Sequence, residues 1–195
     1  MSSQVSRSAR AGLRARPAET LAKLLDAGLT ELDAVGHEAL TIRTVAARAG
    51  VSPATAYTYL ASKNHLFAEL FLAALGEPAP AATEDRPLAD GVVGRVQVVT
   101  REMARRLAAA PALAAAVTPA LLSSDPDVDR LRLRIGAEFV RRFEEALETP
   151  DPDVLETLVL AFSGALLQAG MGVITYPEMG ERLDAVVATI LRGHP

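Results

Sequence analysis

The sequence predicts an all-α fold of about nine helices, in which a small three-helix head precedes a larger helical bundle. Three observations carry this. Apolar residues recur at intervals of three and four along most of the chain, and no segment shows the strict alternation of a strand. Proline stands just inside the start of successive apolar segments, at Pro17, Pro53, Pro111, Pro126, Pro152 and Pro177, where its missing N–H costs nothing. The stretch 76–87, GEPAPAATEDRP, sets three prolines among acids and small residues and so separates two helical regions.

Pro17 is read as opening the first helix, whose apolar face is Leu21, Leu24, Leu25, Gly28, Leu29, Leu32 and Val35; Gly36 stops it. Thr41 caps a short second helix with Ile42, Val45, Ala46 and Ala49 on one side, and Gly50 ends it. Ser52 and Pro53 start a third helix through Leu60. Ser62 starts a fourth to Leu75 along Leu66, Phe67, Leu70 and Phe71. Further helices are predicted over 88–109, 111–123, 126–148, 152–175 and 178–192. The domain division is then a basic flexible arm (1–16), a head with its connecting helix (17–75), a linker (76–87) and a second domain (88–195).

Composition removes several functions. The 195 residues include no cysteine, which excludes disulfides and thiolate chemistry and fits a reducing, cytoplasmic setting. His37, His65 and His194 have no ligand-like spacing, so no metal, no cofactor and no catalytic site is expected, and the chain does not read as an enzyme. Arg7, Arg10, Arg14 and Arg16 precede no apolar segment of the kind a targeting peptide carries. The apolar run 158–174 is broken by Ser163 and Gln168 and reads as a buried helix, so no membrane partner is expected. Charge is uneven. Residues 1–75 hold eight Lys or Arg against six Asp or Glu, a net +2, while the remainder is net −6, so the N-terminal part suits a polyanion.

Residues 41–63, TIRTVAARAGVSPATAYTYLASK, are two short helices joined by a glycine turn, a helix-turn-helix. Ala46 allows a close helix crossing and Gly50 the tight turn. Val51, Ala56 and Leu60 pack the second helix back, leaving Pro53, Ala54, Thr55, Tyr57 and Thr58 on a surface able to enter a major groove. Thr41 and Ser52 are also ordinary caps. Tyr57 and Tyr59 are harder to place by packing, since each hydroxyl needs a partner that a phosphate can supply.

The segment VSPATAYTYLASKNHLF resembles the recognition segment of the TetR family of regulators, whose usual pattern is V-S-x-x-T-L-Y-x-Y-F-x-S-K-E-x-L. Val51, Ser52, Thr55, Tyr57, Tyr59, Ser62, Lys63 and Leu66 fall in register; Ala56, Leu60 and Asn64 depart from it, the first two at inward positions. The resemblance implies Arg43, Pro53, Ala54, Thr55 and Thr58 near base edges, and Thr41, Ser52, Tyr57, Tyr59 and Lys63 on phosphates. It also implies a double-stranded DNA operator, pseudopalindromic because the protein is a homodimer, and a small lipophilic effector whose binding releases the DNA. An activator, or a repressor that ignores effectors, shares the same head. A helical small-molecule-binding protein or enzyme with an incidental head is the remote alternative.

In the second domain, Ala161, Ala165 and Ala169 lie four apart, and Leu183, Val186, Val187 and Ile190 share one side of the last helix; together these are expected at a dimer interface. The expected effector pocket is lined by Met103, Leu107, Leu121, Phe139, Phe143, Phe162, Leu166, Gln168 and Met171. Plain core accounts for most of that spacing equally well. Gln168 stands out because its amide, within the most apolar segment, would need a polar partner.

Overall fold

The computed structural model describes residues 2–77, 89–149 and 151–192, with side chains from residue 17 onward. Among them are nine α-helices and no strand: α1 (Ser2–Ala39), α2 (Ile42–Arg48), α3 (Pro53–Tyr59), α4 (Lys63–Gly76), α5 (Gly91–Ala109), α6 (Pro111–Leu122), α7 (Pro126–Leu147), α8 (Pro152–Gly170) and α9 (Tyr176–Ile190). The all-α fold expected from periodicity is therefore the observed one.

Most boundaries follow local chemistry. Thr41, Ser52, Ser62 and Thr175 accept hydrogen bonds from backbone N–H groups in the first turns of α2, α3, α4 and α9, and Asp125 and Asp151 do the same for α7 and α8. Two boundaries differ from expectation. Helical backbone extends through 2–16, where a flexible arm was expected, and Pro17 lies inside α1 rather than at its first turn. Ala, Arg and Leu dominate 9–16, and their helix propensity favours continuation across the N–H that Pro17 lacks. The arginine side chains of this stretch, and linker positions 78–87, lie outside what is described. The helix predicted to reach 175 instead stops at Gly170: Gly172 adopts φ +74°, its N–H bonds to Ala169 O, and Val173 N–H bonds to Gln168 O. This is a Schellman turn, which needs the left-handed residue that glycine supplies.

A continuous core runs from Leu24 in α1 to Leu191 after α9. Its centre is an aromatic chain in which Phe139 meets Phe71 and Phe162 at centroid distances of 6.4 and 5.0 Å, and Phe143 meets Phe162 at 5.8 Å, all edge to face. α5 and α9 are tied by a buried ion pair, Arg101 Nη2 to Asp184 Oδ2 at 2.9 Å. α8 is long and apolar enough to cross a membrane by length and composition, but it places Val154, Leu158, Phe162 and Ala169 in this core.

Candidate nucleic-acid interface

α2 and α3 cross through small and branched side chains. Ile42, Val45 and Ala46 of α2, with Ala56 and Leu60 of α3 and its cap, are all buried. The turn between them is a second Schellman turn. Gly50 has φ +68°, its N–H bonds to Ala47 O at 3.2 Å, and Val51 N–H bonds to Ala46 O at 3.0 Å. A side chain at position 50 would be strained by that φ, so the glycine sets the angle at which α3 leaves α2. Glu31 of α1 accepts from Arg48 Nε at 2.8 Å and lies 2.8 Å from Arg48 Nη2, which anchors α2 to α1. The same guanidinium holds the Glu31 carboxyl below its ordinary range.

This packing leaves an outward surface. Thr41, Arg43, Ser52, Pro53, Ala54, Tyr57, Thr58 and Lys63 are exposed, and Thr55 and Tyr59 are partly buried. Their hydrogen bonds separate them into kinds. Thr41 and Thr44 form a reciprocal capping box, Ser52 Oγ accepts from Thr55 N–H at 3.0 Å, and Thr58 Oγ1 donates to Ala54 O at 3.0 Å. Arg43 and the hydroxyls of Tyr57 and Tyr59 make no hydrogen bond among the described residues, so their donors remain available on that surface. Lys63 is already engaged: Nζ donates to the carbonyls of His37 and Glu38, each at 3.3 Å. Thr44, Arg48 and Glu31 were not singled out from the sequence. The Thr41-x-x-Thr44 spacing was a readable signal for the first, whereas the Glu31–Arg48 pair joins separate helices and had none.

The second region is arranged differently from expectation. Met103, Phe139, Phe143 and Phe162 are buried core side chains that fill the bundle centre where a pocket was expected. Leu121 and Leu166 are partly buried. Gln168 of α8 and Met171 at its cap are exposed, so the Gln168 amide is open to solvent rather than enclosed in a pocket. Leu107 does line a cavity, of about 560 Å³, formed at the α5–α6 turn, the end of α8 and the start of α9 with Pro111, Ala114, Ile174 and Tyr176. Tyr176 Oη donates to Ala114 O at 3.3 Å beside it. Of the expected interface residues, Ala169, Leu183 and Val187 point into the protomer core and are corrected to that role. Val186 is exposed, and Ala161, Ala165 and Ile190 are partly buried. Exposed apolar side chains of this region include Leu160 and Leu167 on α8, Met171 at its cap and Val186 on α9. No group of three or more His, Asp or Glu side chains gathers as a metal site among the described residues.

Residues 24–70 match the family model of bacterial regulatory proteins of the tetR family. An uncharacterized HTH-type transcriptional regulator of Mycobacterium tuberculosis (strain ATCC 25618 / H37Rv) is 44% identical over 184 residues, which covers 91% of this chain and 83% of the relative. The HTH-type transcriptional repressor KstR of Mycolicibacterium smegmatis is 31% identical over 137 residues, covering 66% of this chain and 65% of that protein. In three dimensions, a TetR transcriptional regulator from Rhodococcus sp. RHA1 superposes with a TM-score of 0.75 at 18% identity, over 92% of this chain and 99% of that one. The helix-turn-helix built around Gly50, the match over 24–70 and the near-full-length relative together place this chain in the TetR family of transcriptional regulators, which are not enzymes.

Proposed function

We propose that the chain is a ligand-responsive repressor that binds a pseudopalindromic operator as a homodimer in the cytoplasm and is released by a small lipophilic effector. Residues 17–75 serve as the DNA-reading head and 88–195 as the effector-binding and dimerisation domain. The observation that carries this reading is the outward surface of α2 and α3, where Arg43, Tyr57 and Tyr59 have unspent donors and Pro53, Ala54 and Thr58 form a low profile suited to a major groove. Arg43 is assigned to base reading because its fork can bond guanine through two atoms. Thr41, Ser52, Thr55 and Lys63 flank that surface and are assigned to positioning on the backbone or at neighbouring base edges.

Dimerisation is supported by the apolar face on α8 and α9: Leu160 is 65% and Met171 59% exposed in the isolated chain, and water leaves such surface uncompensated. One seven-residue α3 reads few base pairs, so two copies are needed for useful selectivity. Repression is favoured by the relative KstR, whose name states that activity. The 560 Å³ cavity, walled by Leu107, Pro111, Ile174 and Tyr176 next to α8 and α9, is the assigned effector site, and its apolar walls suit a lipophilic compound.

Mobility-shift titration with DNA flanking the gene of this protein tests the core of the reading. Specific retardation that weakens steeply with salt is expected. Failure to retard any such fragment over random DNA would overturn it. Mass spectrometry of compounds co-purifying with the protein then tests the effector, which should disperse the DNA complex when added back.

A further inference from the structure

A second cavity, of about 460 Å³, opens where α1 and α4 meet the α5–α6 turn. Leu25 and Leu29 of α1, Leu70 and Ala73 of α4, and Ala109 and Leu113 from the bundle form its walls. Three ionisable side chains line it as well: Asp26, Glu77 and Arg106. Their availability differs. Arg106 is nearly buried and engaged through all three nitrogens, donating through Nε and Nη2 to Glu102 at 3.1 and 2.5 Å and through Nη1 to Ala74 O at 2.7 Å. Glu102 is shared with Arg142 at 3.0 Å, Arg142 with Glu138 at 2.8 Å, and Arg141 bridges Glu138 and Glu145 at 2.6 and 2.5 Å. Three guanidiniums therefore alternate with three carboxylates in one linear network whose formal charges sum to zero. The Asp26 and Glu77 carboxylates make no hydrogen bond or ion pair among the described residues, and both are exposed. With Arg106 paired to Glu102, they leave the ionisable lining of this cavity net negative.

Apolar walls with two unspent carboxylates complement one ligand class. We propose that this cavity is a second ligand site, for amphipathic organic cations whose hydrocarbon groups pack on Leu25, Leu29, Leu70 and Leu113 while the positive centre lies beside Asp26 and Glu77. A ligand there touches the helix-turn-helix side through α1, the connecting helix α4 and the bundle at once. Any preference it has for one arrangement of these parts shifts their population and reaches the DNA surface. The site shares no lining residue with the 560 Å³ cavity, which lies against α8 and α9, and it requires neither the dimer nor the operator.

Calorimetric titration of the full chain with tetraphenylphosphonium and with tetraphenylborate tests the charge argument, since the two ions share a shape and differ in sign. The phosphonium is expected to bind once per chain, and the borate about tenfold more weakly or not at all. Asp26→Asn combined with Glu77→Gln should weaken the phosphonium by about tenfold and close the gap between the ions. Ala73→Phe and Ala109→Phe each place a ring in the cavity from an exposed position, so folding persists, as circular dichroism will verify, and phosphonium binding should vanish. Absence of phosphonium binding, equal affinity for both ions, or binding that survives both phenylalanine variants would overturn the proposal. DNA retardation does not enter these readouts, so failure here leaves the repressor reading standing and the converse also holds.

Discussion

Arg43 of α2 and Lys63 of α4 are both exposed and differ in what they already touch. Arg43 is unbonded among the described residues, while Lys63 closes the end of α1 by donating to His37 O and Glu38 O. Arg43→Ala is therefore expected to relax preference at one base pair of each half-site, by about 1–3 kcal/mol, with little change in melting temperature. Lys63→Ala should weaken binding to all sequences and also lower the melting temperature, because two carbonyls lose a charged donor. Competition binding on specific and random duplexes, with thermal denaturation alongside, separates the two. Ala56 sits where relatives in this family usually carry leucine, yet it is fully buried against α2. Ala56→Leu should overpack that crossing and cost about 1–3 kcal/mol in denaturant unfolding, since Leu60 and its neighbours are already closed around the smaller side chain.

At the level of helices, α4 is held at both ends by the bundle. Its cap, Ser62 Oγ, donates to Asp125 Oδ2 at the start of α7, and the carbonyls of Ala74 and Leu75 in its last turn accept from Arg106 and Arg142. Those carbonyls have no partner within the helix, so the arginines replace the glycine turn that ends α2 and α8. Glu138, bonded by Arg141 and Arg142, has its pKa pulled down to about 2. Because the folded pKa lies below the unfolded value, this contribution to stability is complete above about pH 4.5 and is lost as pH falls toward 2. Wild type should therefore lose melting temperature across that window more steeply than Glu138→Gln. α9 depends on a different pair. Arg101→Met strands Asp184, which is 4% exposed, and is expected to cost about 3–5 kcal/mol, whereas Arg101→Met with Asp184→Leu should recover most of that loss. Chemical denaturation of the single and double variants measures it.

At the scale of the whole molecule, the described residues bury one large core and leave apolar side chains of α8 and α9 exposed. Leu160 and Leu167 are two of these and do not contribute to the core, so Leu160→Asp with Leu167→Asp should keep the helical spectrum intact. Sedimentation is expected to show dimers for the wild type and monomers for the variant, and the variant should lose operator affinity because each copy then presents a single α3. A variant that remained dimeric would move the interface elsewhere. Both cavities abut the α5–α6 turn, through different residues of it, one against the end of α8 and the start of α9 and one against α1 and α4, so ligands at each bias different contacts.

Local chemistry in the sequence determined the helical class, the caps and the way α2 meets α3. Thr41, Gly50, Ser52 and Pro53 act on backbone within a few residues of themselves, and the inward positions Val45, Ala46, Ala56 and Leu60 follow from helical period alone. Period was insufficient for α8 and α9. α8 is apolar on nearly every side, so spacing could not tell Phe162 and Ala169, which turn inward, from Gln168 and Met171, which turn out. The same ambiguity moved Leu183 and Val187 from an expected interface into the core and filled the expected pocket with phenylalanine rings. Only tertiary structure decided these orientations, together with the pairings Glu31–Arg48, Ser62–Asp125 and Arg101–Asp184, because each joins residues whose meeting depends on how whole helices pack rather than on any local preference.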